Sequence, residues 1–366
     1  MKDLLRSFVA LLRMTPNREI FRKVIYMRVA MYYSNSDIRL EDFPRPKIAN
    51  DEALLQVEAS GICGSDVMEW YRRDKVPLVL GHEVAGTIKE AGSRVKDFKV
   101  GDRVVATHHV PCGECAFCLD GHETACDLLR KTHFDPGGFC EFLRLPSVNL
   151  KFGTFRIPKN VSFEEATFVE PLGCALRGQR LAEMKKGKRV LVVGSGMAGL
   201  LHIKAARYFG AKTITATDID SFRLKKAKEF GADTVINAKE DVPKKVLEAN
   251  DGRLADLVIV CSGAQTAFEQ GLKSVERGGT VLIFTAAAKD ACLPVPTNEI
   301  FWRNEVTLIS SYAAAPRDLK EALKLIAQKK IVVQDMITHR LPLSEIQKGF
   351  DLVVRPKESI KVIIEP

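Results

Sequence analysis

The hydrophobic pattern changes twice along the chain, near residue 27 and again near residue 162. Within 1–26, leucine and phenylalanine recur at helical spacing among basic residues, which predicts one short amphipathic helix. Such a helix is typical of an N-terminal extension that packs on its own domain. An anchor for a membrane surface or a partner protein is the alternative.

From 27 to about 150, short runs of β-forming residues alternate with glycine, proline and aspartate, which is typical of an irregular, mainly β domain. Ser162 and Glu165 then form a capping-box motif ahead of a helical periodicity that extends to about 181. We expect this helix to lead into a second domain. The strands predicted in the first domain cover 54–57, 84–89, 103–106 and 139–143.

Beyond this helix, apolar strands alternate with helical segments in a regular order. This order predicts a doubly wound parallel sheet and an α/β fold class. A helix at 319–327 and a strand at 360–364 are expected to return to the first domain. The six predicted strands cover 189–193, 213–217, 234–237, 256–260, 280–284 and 306–310.

Length and composition agree with two ordinary globular domains. The 366 residues are 46% hydrophobic and 28% charged, and no window has the roughly 18 apolar residues of a membrane span. We expect an extension at 1–26, one domain formed by 27–172 together with 314–366, and a second domain at 173–313.

Charge and cysteine content limit the classes of binding partner and the cellular compartment that we expect. The net charge is +9, yet the chain lacks the basic run or aromatic stacking motif of nucleic-acid binding, so we expect no nucleic-acid partner. A diffuse positive surplus favours an anionic ligand such as a dinucleotide. Nine cysteines without a signal-peptide pattern predict unpaired thiols in the cytoplasm.

A glycine-rich turn follows the first strand of the second domain. Gly194 permits the tight turn, Gly196 lets the backbone approach a pyrophosphate, and Gly199 lets the helix pack closely on the sheet. Asp218 ends the next strand and is placed to accept hydrogen bonds from ribose hydroxyls, which predicts NAD rather than NADP. Arg223 opposes this prediction, because a guanidinium can bind a 2′-phosphate.

The predicted cofactor contacts combine this turn with the carboxyl ends of neighbouring strands, where dinucleotides lie in such sheets. They are Gly194, Ser195, Gly196, Met197, Ala198, Gly199, Asp218, Arg223, Cys261, Ser262 and Phe284.

Four of the cysteines are crowded into a short segment of the first domain. Four thiolates fill the tetrahedral coordination of zinc and leave no open position, so this spacing predicts a structural zinc site. The four residues are Cys112, Cys115, Cys118 and Cys126.

A second set of metal ligands is dispersed along the chain. Cys63, His82 and Glu170 offer sulfur, nitrogen and oxygen, and three ligands leave the fourth position that a catalytic zinc needs for substrate. Zinc with one thiolate, one neutral imidazole and one carboxylate has no net charge, so a bound alkoxide is fully attracted to the ion. Cys174, one helical turn after Glu170, is the competing ligand.

Several motifs together resemble the zinc-dependent medium-chain dehydrogenases, the superfamily of alcohol, sorbitol and threonine dehydrogenases. The resemblance covers 27–366 and implies a GroES-like catalytic domain, a Rossmann domain and an active site in the cleft between them. The matching segments are the glycine-rich turn, the four-cysteine segment, 61–66, 81–83, 100–104, 137–139 and 170–171.

The resemblance also assigns roles to individual residues. Cys63 and His82 match the family's zinc ligands, and Glu170 matches the ligand of the sorbitol-dehydrogenase branch. Glu83 matches a carboxylate that lies near the metal and ligates it directly or through water. These matches imply two zinc ions per chain, one catalytic and one structural.

The implied reaction is NAD-linked oxidation of a secondary alcohol to a ketone, with a polyol, cyclic polyol or hydroxy amino acid as substrate. Ser65 matches the hydroxyl that relays the alcohol proton, and Asp66 matches the acid that orients His82. The alternatives are a zinc-free quinone or enoyl reductase and a non-catalytic binding protein on the same fold. Family members are usually homodimers or homotetramers.

Two departures from the family pattern bear on the substrate. Met68 stands where alcohol and sorbitol dehydrogenases commonly have a histidine, so the outer proton relay would run through water or another group. Residues 306–312 lack the arginine and aromatic pair of sorbitol dehydrogenases, which argues against sorbitol. The candidates for the pocket lining, with core packing as the alternative, are Trp70, Tyr71, Arg72 and Trp302.

Overall fold

The computed structural model describes residues 25–366, so the helix expected near the N terminus lies outside the described residues. The strands are β1 (Tyr26–Ser34), β2 (Asp37–Pro44), β3 (Ala53–Gly61), β4 (Leu78–Val79), β5 (Glu83–Ala91), β6 (Arg103–Ala106), β7 (Phe142–Leu145), β8 (Thr154–Arg156), β9 (Arg189–Val193), β10 (Thr213–Asp218), β11 (Thr234–Asn237), β12 (Ala255–Val260), β13 (Val275–Ile283), β14 (Thr307–Ser310), β15 (Ile337–Pro342) and β16 (Lys361–Glu365).

The α-helices are α1 (Glu69–Arg72), α2 (Ala116–Leu119), α3 (Ser147–Gly153), α4 (Phe163–Thr167), α5 (Val169–Leu181), α6 (Met197–Tyr208), α7 (Ser221–Glu229), α8 (Val242–Ala249), α9 (Gln265–Lys273), α10 (Thr297–Ile300), α11 (Pro316–Ala327) and α12 (Ile346–Val354). Short 3₁₀ helices cover Arg73–Lys75, Glu123–Ala125, Gln334–Met336 and Leu343–Glu345. None of the helices within 25–366 is long and apolar enough to cross a membrane.

The first half of the chain and the C-terminal segment build one mainly antiparallel unit. Its larger sheet has the strand order β15-β16-β3-β5-β6-β8, with β7 also paired to β3, and its smaller sheet has the order β2-β1-β4. Val29, Leu55, Ile88, Leu143 and Ile364 are fully buried in one shared core. The C-terminal strand β16 therefore contributes to the same core as β1, although more than 300 residues separate them.

The second unit is a six-stranded sheet in the order β11-β10-β9-β12-β13-β14, and every neighbouring pair of strands is parallel. This order reverses between β9 and β12, at the point where a doubly wound sheet opens a crevice for a ligand. The predicted α/β class and doubly wound sheet are confirmed. All five residues of β9 are buried, because helices cover both faces of a parallel sheet.

Several boundaries differ from the sequence prediction, and β13, for example, begins at Val275 and not at the predicted 280. The single helix expected from 162 to 181 is two helices, α4 and α5, which are separated at Phe168. Pro171 lacks the N–H that a continuous helix would donate to the carbonyl of Thr167, which explains the interruption. The strand expected at 139–143 begins only at Phe142, because Cys140 instead forms an isolated bridge with Val29.

Helix α5 connects the two units. Arg180 near its C-terminal end donates hydrogen bonds to Asp318 of α11, at 3.0 Å for the shortest contact. The buried Arg177 lies 3.3 Å from Glu123, which belongs to the four-cysteine segment. These contacts fix α5 at both sides, and its first turn holds Glu170.

Candidate metal centres and dinucleotide site

The four clustered cysteines surround one point. The Sγ atoms of Cys112 and Cys118 are 3.8 Å apart, those of Cys115 and Cys118 are 3.6 Å apart, and those of Cys126 and Cys112 are 3.7 Å apart. A tetrahedral zinc with Zn–S bonds of about 2.3 Å places its sulfurs about 3.8 Å apart. The spacing therefore fits zinc, and it excludes a disulfide, whose sulfurs are about 2.05 Å apart.

Backbone amides help this cluster to hold negative charge. The N–H groups of Cys112 and Cys115 donate to the Sγ atoms of Cys126 and Cys112, at 3.4 and 3.3 Å. Burial opposes ionisation of Cys126, but the backbone donors outweigh it and lower the pKa of this thiol to about 6. Burial raises the pKa of Cys118 to about 12. A cation is needed to keep all four as thiolates.

Donor atoms of three candidate ligands for the catalytic metal also converge. Cys63 follows β3, His82 precedes β5, and Glu83 begins β5, whose pairing with β3 sets Glu83 opposite Gly61. One donor atom from each of Cys63, His82 and Glu83 lies within 4.8 Å of the other two. Glu83 is fully buried, and its Oε1 atom has no hydrogen-bond partner among the described residues. A buried, unpartnered carboxylate oxygen beside a thiol and an imidazole fits a metal ligand.

Asp66 lies behind this group. Its Oδ1 atom is 3.3 Å from Nδ1 of His82, and its Oδ2 atom accepts the N–H of Cys63 at 3.0 Å. Burial opposes charge on His82, but Asp66 and Cys63 outweigh burial and raise the pKa of the imidazole well above its usual value. Asp66 therefore fixes the orientation of the His82 ring and leaves Nε2 as the free nitrogen.

Glu170 and Cys174 lie together at the edge of this group. Cys174 Sγ donates to Glu170 Oε1 at 3.3 Å. Burial raises the pKa of Glu170, with His82 opposing and Glu83 reinforcing the shift. Burial and the Glu170 carboxylate raise the pKa of Cys174 well above the ordinary thiol value. Glu170 does not belong to the group of three residues with converging donor atoms, and it lies next to that group.

Lys361 is a site residue that sequence reasoning missed. Its Nζ atom pairs with Glu83 Oε2 and also donates to the carbonyl of Ile62 at 3.1 Å. Both charged side chains are fully buried. A Cβ at Gly61 would collide with the Glu83 carboxylate, so only glycine fits beside this pair. A lysine at the start of a C-terminal strand gives no sequence signal for such a contact.

Three histidines were also missed. One ring nitrogen from each of His108, His109 and His133 lies within 4.8 Å of the other two. The ring centroids of His108 and His82 are 5.0 Å apart, so this group adjoins the metal candidates. Tyr312, which follows β14, has its hydroxyl 3.3 Å from Nε2 of His109. The adjacent pair of histidines just before the cysteine segment was the available sequence signal.

Burial disfavours the charged form of these imidazoles, most strongly for His108 and His109. Burial lowers the pKa of His109 to about 4, and the neighbouring His133 and His82 add to the shift. Burial lowers the pKa of His108 well below its usual value. Burial also lowers the pKa of His133, and the positive charges of Lys75 and Arg72 lower it further. The two cationic side chains thus lie close to the histidines.

The segment after Cys63 supplies the remaining candidates of this half. Ser65 is half-buried, and its carbonyl accepts a hydrogen bond from Arg72 Nη2 at 3.2 Å. Trp70 and Tyr71 are exposed by 40% and 45%, and Trp302 by 68%, so none of these aromatic side chains packs in a core.

The glycine-rich turn has the shape that a pyrophosphate requires. Gly194 has a φ of +93°, which favours glycine, and a Cβ at Gly199 would collide with the carbonyl of Gly194. A Cβ at Gly196, by contrast, would meet nothing within 4 Å. The space at Gly196 lies at the N-terminal end of α6, where backbone N–H groups attract phosphate.

Asp218 lies under this turn. Its Oδ2 atom accepts the N–H of Ser195 at 2.8 Å, and its Oδ1 atom accepts the N–H of Asp220 at 3.0 Å. Arg223 Nη1 lies 3.8 Å from the same carboxylate. The structure therefore places the predicted ribose acceptor and its cationic competitor side by side.

The other predicted cofactor contacts border the same crevice. Met197 and Ala198 form the first turn of α6 and are half-buried. A Cβ at Gly194 would lie 3.1 Å from the Cβ of Ser262 and 3.2 Å from the carbonyl carbon of Cys261. Phe284 continues from β13, and its N–H donates to the carbonyl of Val260 at 3.0 Å. These residues meet where the strand order reverses.

Comparisons with known proteins agree with this arrangement. Residues 49–159 match the alcohol dehydrogenase GroES-like domain, and 198–328 match the zinc-binding dehydrogenase family. Sorbitol dehydrogenase from Ovis aries is 31% identical, over 86% of this chain and 90% of that protein. L-Threonine 3-dehydrogenase from Bacillus licheniformis is 34% identical, over 88% of this chain and 94% of that protein.

A solved structure from Sinorhizobium meliloti, assigned as a zinc-binding dehydrogenase and bound to NADP, superposes with a TM-score of 0.83. It is 29% identical and covers 93% of this chain and 99% of that chain. The resemblance read from the motifs, the GroES-like and Rossmann-type architecture, and the assignment as an oxidoreductase are thus confirmed. The chain belongs to the zinc-dependent alcohol dehydrogenase superfamily, whose members oxidise alcohols and polyols with a nicotinamide cofactor.

Proposed function

We propose that this chain oxidises a secondary alcohol to a ketone, with NAD as the preferred cofactor and with a polyol, cyclic polyol or hydroxy amino acid as substrate. The convergence of donor atoms from Cys63, His82 and Glu83 carries this proposal, because sulfur, nitrogen and oxygen are the ligand atoms of catalytic zinc sites. The four-thiol cluster supports a zinc-dependent enzyme over a zinc-free reductase, because it serves no purpose without a metal.

Two zinc ions per chain are proposed. Cys112, Cys115, Cys118 and Cys126 would hold the structural ion. Cys63 and His82 would hold the catalytic ion, with Glu170 as the third ligand and Glu83 ligating directly or through water. Zinc, when bound, supplies a Lewis acid that polarises the alcohol hydroxyl.

The chain's own residues would manage the proton and the orientation of the site. Ser65, two residues after Cys63, would take the alcohol proton and pass it outward. Asp66, held by the N–H of Cys63, would keep His82 Nδ1 protonated and its Nε2 free for the metal. Because Met68 cannot carry a proton, the next step outward from Ser65 would use water or another protein group.

The cofactor would lie across the crevice between β9 and β12. The N-terminal end of α6 would bind the pyrophosphate at Gly196, and Cys261, Ser262 and Phe284 would border the nicotinamide. Asp218 supports NAD, because its carboxylate would repel a 2′-phosphate. The Sinorhizobium meliloti relative binds NADP, so Arg223 beside Asp218 makes the preference a matter for experiment.

We also propose a homodimer or homotetramer in the cytoplasm. The outer edge of β14 has no partner strand within 25–366, and an unpaired sheet edge is a natural surface for a second copy. The cysteines within 25–366 are all unpaired, which supports a reducing compartment.

The proposal is tested by measuring metal content and turnover on the same preparation of the full chain. We expect about two zinc ions per chain and reduction of NAD with at least one member of a panel of polyols, cyclic polyols and hydroxy amino acids. Chelation of the catalytic ion should abolish turnover, and added zinc should restore it. Full activity with less than one ion per chain would overturn the proposal.

A further inference from the structure

Five basic side chains form one wall beside the metal candidates. We call Arg72, Lys75, His108, His109 and His133 the basic wall. Arg72 and Lys75 lie close enough to His133 for their charges to act on it, and Arg72 also acts on His108. Because three of these residues come from 108–133 and two from 72–75, only the folded chain brings them together.

Arg72 and Lys75 are the two permanent charges of the basic wall, and Arg72 is close enough to the buried Asp66 to act on its charge. Within 25–366, no carboxylate forms an ion pair with Arg72 or Lys75, and the nearby Glu69 and Asp74 are exposed. Lys75 Nζ lies 3.8 Å from the centroid of the Tyr71 ring, and Arg72 Cζ lies 4.9 Å from it. Arg72 Nε is buried without a hydrogen-bond partner. Buried polar groups of folded proteins are normally satisfied, so the unpartnered Nε atom of Arg72 points to a ligand.

The basic wall lies next to the proposed proton acceptor and the metal candidates. Arg72 Nη2 is bound to the carbonyl of Ser65, the proposed proton acceptor, and the His108 ring is 5.0 Å from the His82 ring. The buried Nδ1 atom of His108 also lacks a partner among the described residues. A substrate whose hydroxyl reaches Cys63 and His82 would therefore place its distal end against this wall.

A third metal ion is the other ligand that three histidines suggest. Two fixed positive charges beside them oppose a divalent cation, and the same two charges attract an anion. Arginine and lysine are also the side chains that bind phosphate and carboxylate oxygens through charge-assisted hydrogen bonds. The electrostatics of the basic wall therefore favour an anion.

We propose that the alcohol substrate carries an oxyanion, phosphate or carboxylate, and that the basic wall binds it while the hydroxyl occupies the metal centre. This inference rests on the proposed function and narrows its substrate class. It explains why neither Arg72 nor Lys75 forms an ion pair with a carboxylate within 25–366: the substrate supplies the anion.

The direct test compares matched substrates that differ in the anion. With saturating NAD, kcat/KM should be at least 10-fold higher for sorbitol 6-phosphate than for sorbitol, or for threonine than for its amide. The first pair tests a phosphate and the second a carboxylate. Rising ionic strength should lower kcat/KM for the charged member only, because salt screens the attraction.

Substitutions then test whether the basic wall causes the preference for the charged substrate. Arg72→Gln and Lys75→Gln should each lower the ratio of charged to neutral kcat/KM by about 10- to 100-fold, as expected for a lost charged hydrogen bond. Arg72→Lys should retain part of the ratio. The matched control is Arg73→Gln, which removes an exposed charge from the same segment and should leave the ratio within about twofold.

Inorganic phosphate gives a readout that does not depend on finding the substrate. Calorimetry on the zinc-loaded chain with saturating NAD should show phosphate binding that Arg72→Gln weakens at least 10-fold. No phosphate binding, or equal binding by the native chain and by Arg72→Gln, would overturn the inference even if the protein oxidises alcohols. A third zinc ion lost in His133→Ala would overturn it in favour of a metal site. Absence of turnover with every alcohol would instead contradict the proposed function.

Discussion

Cys174 Sγ donates a hydrogen bond to Glu170 Oε1, one helical turn earlier on α5, at a distance of 3.3 Å. The two competing ligands for the third metal position are therefore in contact with each other. A carboxylate that accepts this bond is held near Cys63 and His82 and can still turn its other oxygen toward a metal. A thiol that donates the bond is protonated, and a protonated thiol is a poor ligand.

This contact predicts different outcomes for the two substitutions. Glu170→Ala should lower kcat/KM by more than about 100-fold, because it removes a ligand oxygen. Cys174→Ala should cost less than about fivefold, and Cys174→Ser should resemble the native chain. Steady-state kinetics with zinc analysis of each variant would decide. Loss of the catalytic zinc in the cysteine variant, with an active glutamate variant, would place this chain in the two-cysteine branch.

The two cysteine sites should fail in different ways. Cys63→Ser should abolish turnover with the fold retained, because it removes only the catalytic ion and leaves the structural ion in place. Cys115→Ser should release the structural ion and lower the thermal midpoint, since metal binding contributes directly to folding there. Thermal unfolding, zinc content and turnover are measured for both. An exchange of the two outcomes would show that the assigned roles are reversed.

Asp218 should control the choice of cofactor. Asp218→Gly should raise the ratio of NADP to NAD use by at least 10-fold, because it removes the carboxylate and leaves Arg223 free for a 2′-phosphate. Asp218→Asn is the control that removes the charge and keeps one of the two hydrogen-bond acceptors. The ratio is obtained from kcat/KM for each dinucleotide. A native chain that uses NADP better than NAD would contradict the assignment.

Lys361 should be required for stability. Lys361→Met leaves the buried Glu83 carboxylate without its counter-charge, which costs about 3–5 kcal/mol of unfolding free energy. The exposed pair of Lys348 and Glu345 offers a control, and Lys348→Met should cost less than about 1 kcal/mol. Urea unfolding of the chain stripped of zinc by a chelator measures both, because a zinc ion at Glu83 would replace the lost counter-charge. Equal losses would mean that the buried pair has no special role.

Glu165 should make stability depend on acid pH. Burial opposes its charge, but Lys329 at 2.6 Å and the N–H of Ser162 outweigh burial and lower the pKa of this carboxyl below 4.5. A lowered pKa stabilises the fold above the unfolded value and loses that effect as the pH falls through the folded value. Glu165→Gln should therefore be less stable than the native chain at pH 7.

The difference between Glu165→Gln and the native chain should begin to shrink below pH 4.5 and disappear as the pH falls through the lowered pKa of the folded carboxyl. Lys329→Met should remove most of the same difference, because the ammonium group is the main partner of the carboxylate. Urea unfolding across this pH range is the measurement. A difference that stays constant with pH would show that the effect is packing and not charge.

The features that the sequence determined by itself are local. The turn at Gly194 to Gly199 and the segment from Cys112 to Cys126 each need only a few consecutive residues, so their spacing already encodes their geometry. The alternation of strands and helices after 189 likewise predicted the parallel sheet, because each strand and its following helix form one unit.

Only the tertiary structure decided which distant residues meet. Lys361 reaches Glu83 because β16 lies next to β3, and β3 next to β5, in one sheet. Arg72 reaches His108 and His133 only through the packing of three separate segments. No local spacing encodes these contacts, since they depend on strand order and burial over distances of 30 to nearly 300 residues. The sequence thus specifies the metal and the cofactor by local chemistry, whereas long-range packing sets the charge that the substrate meets.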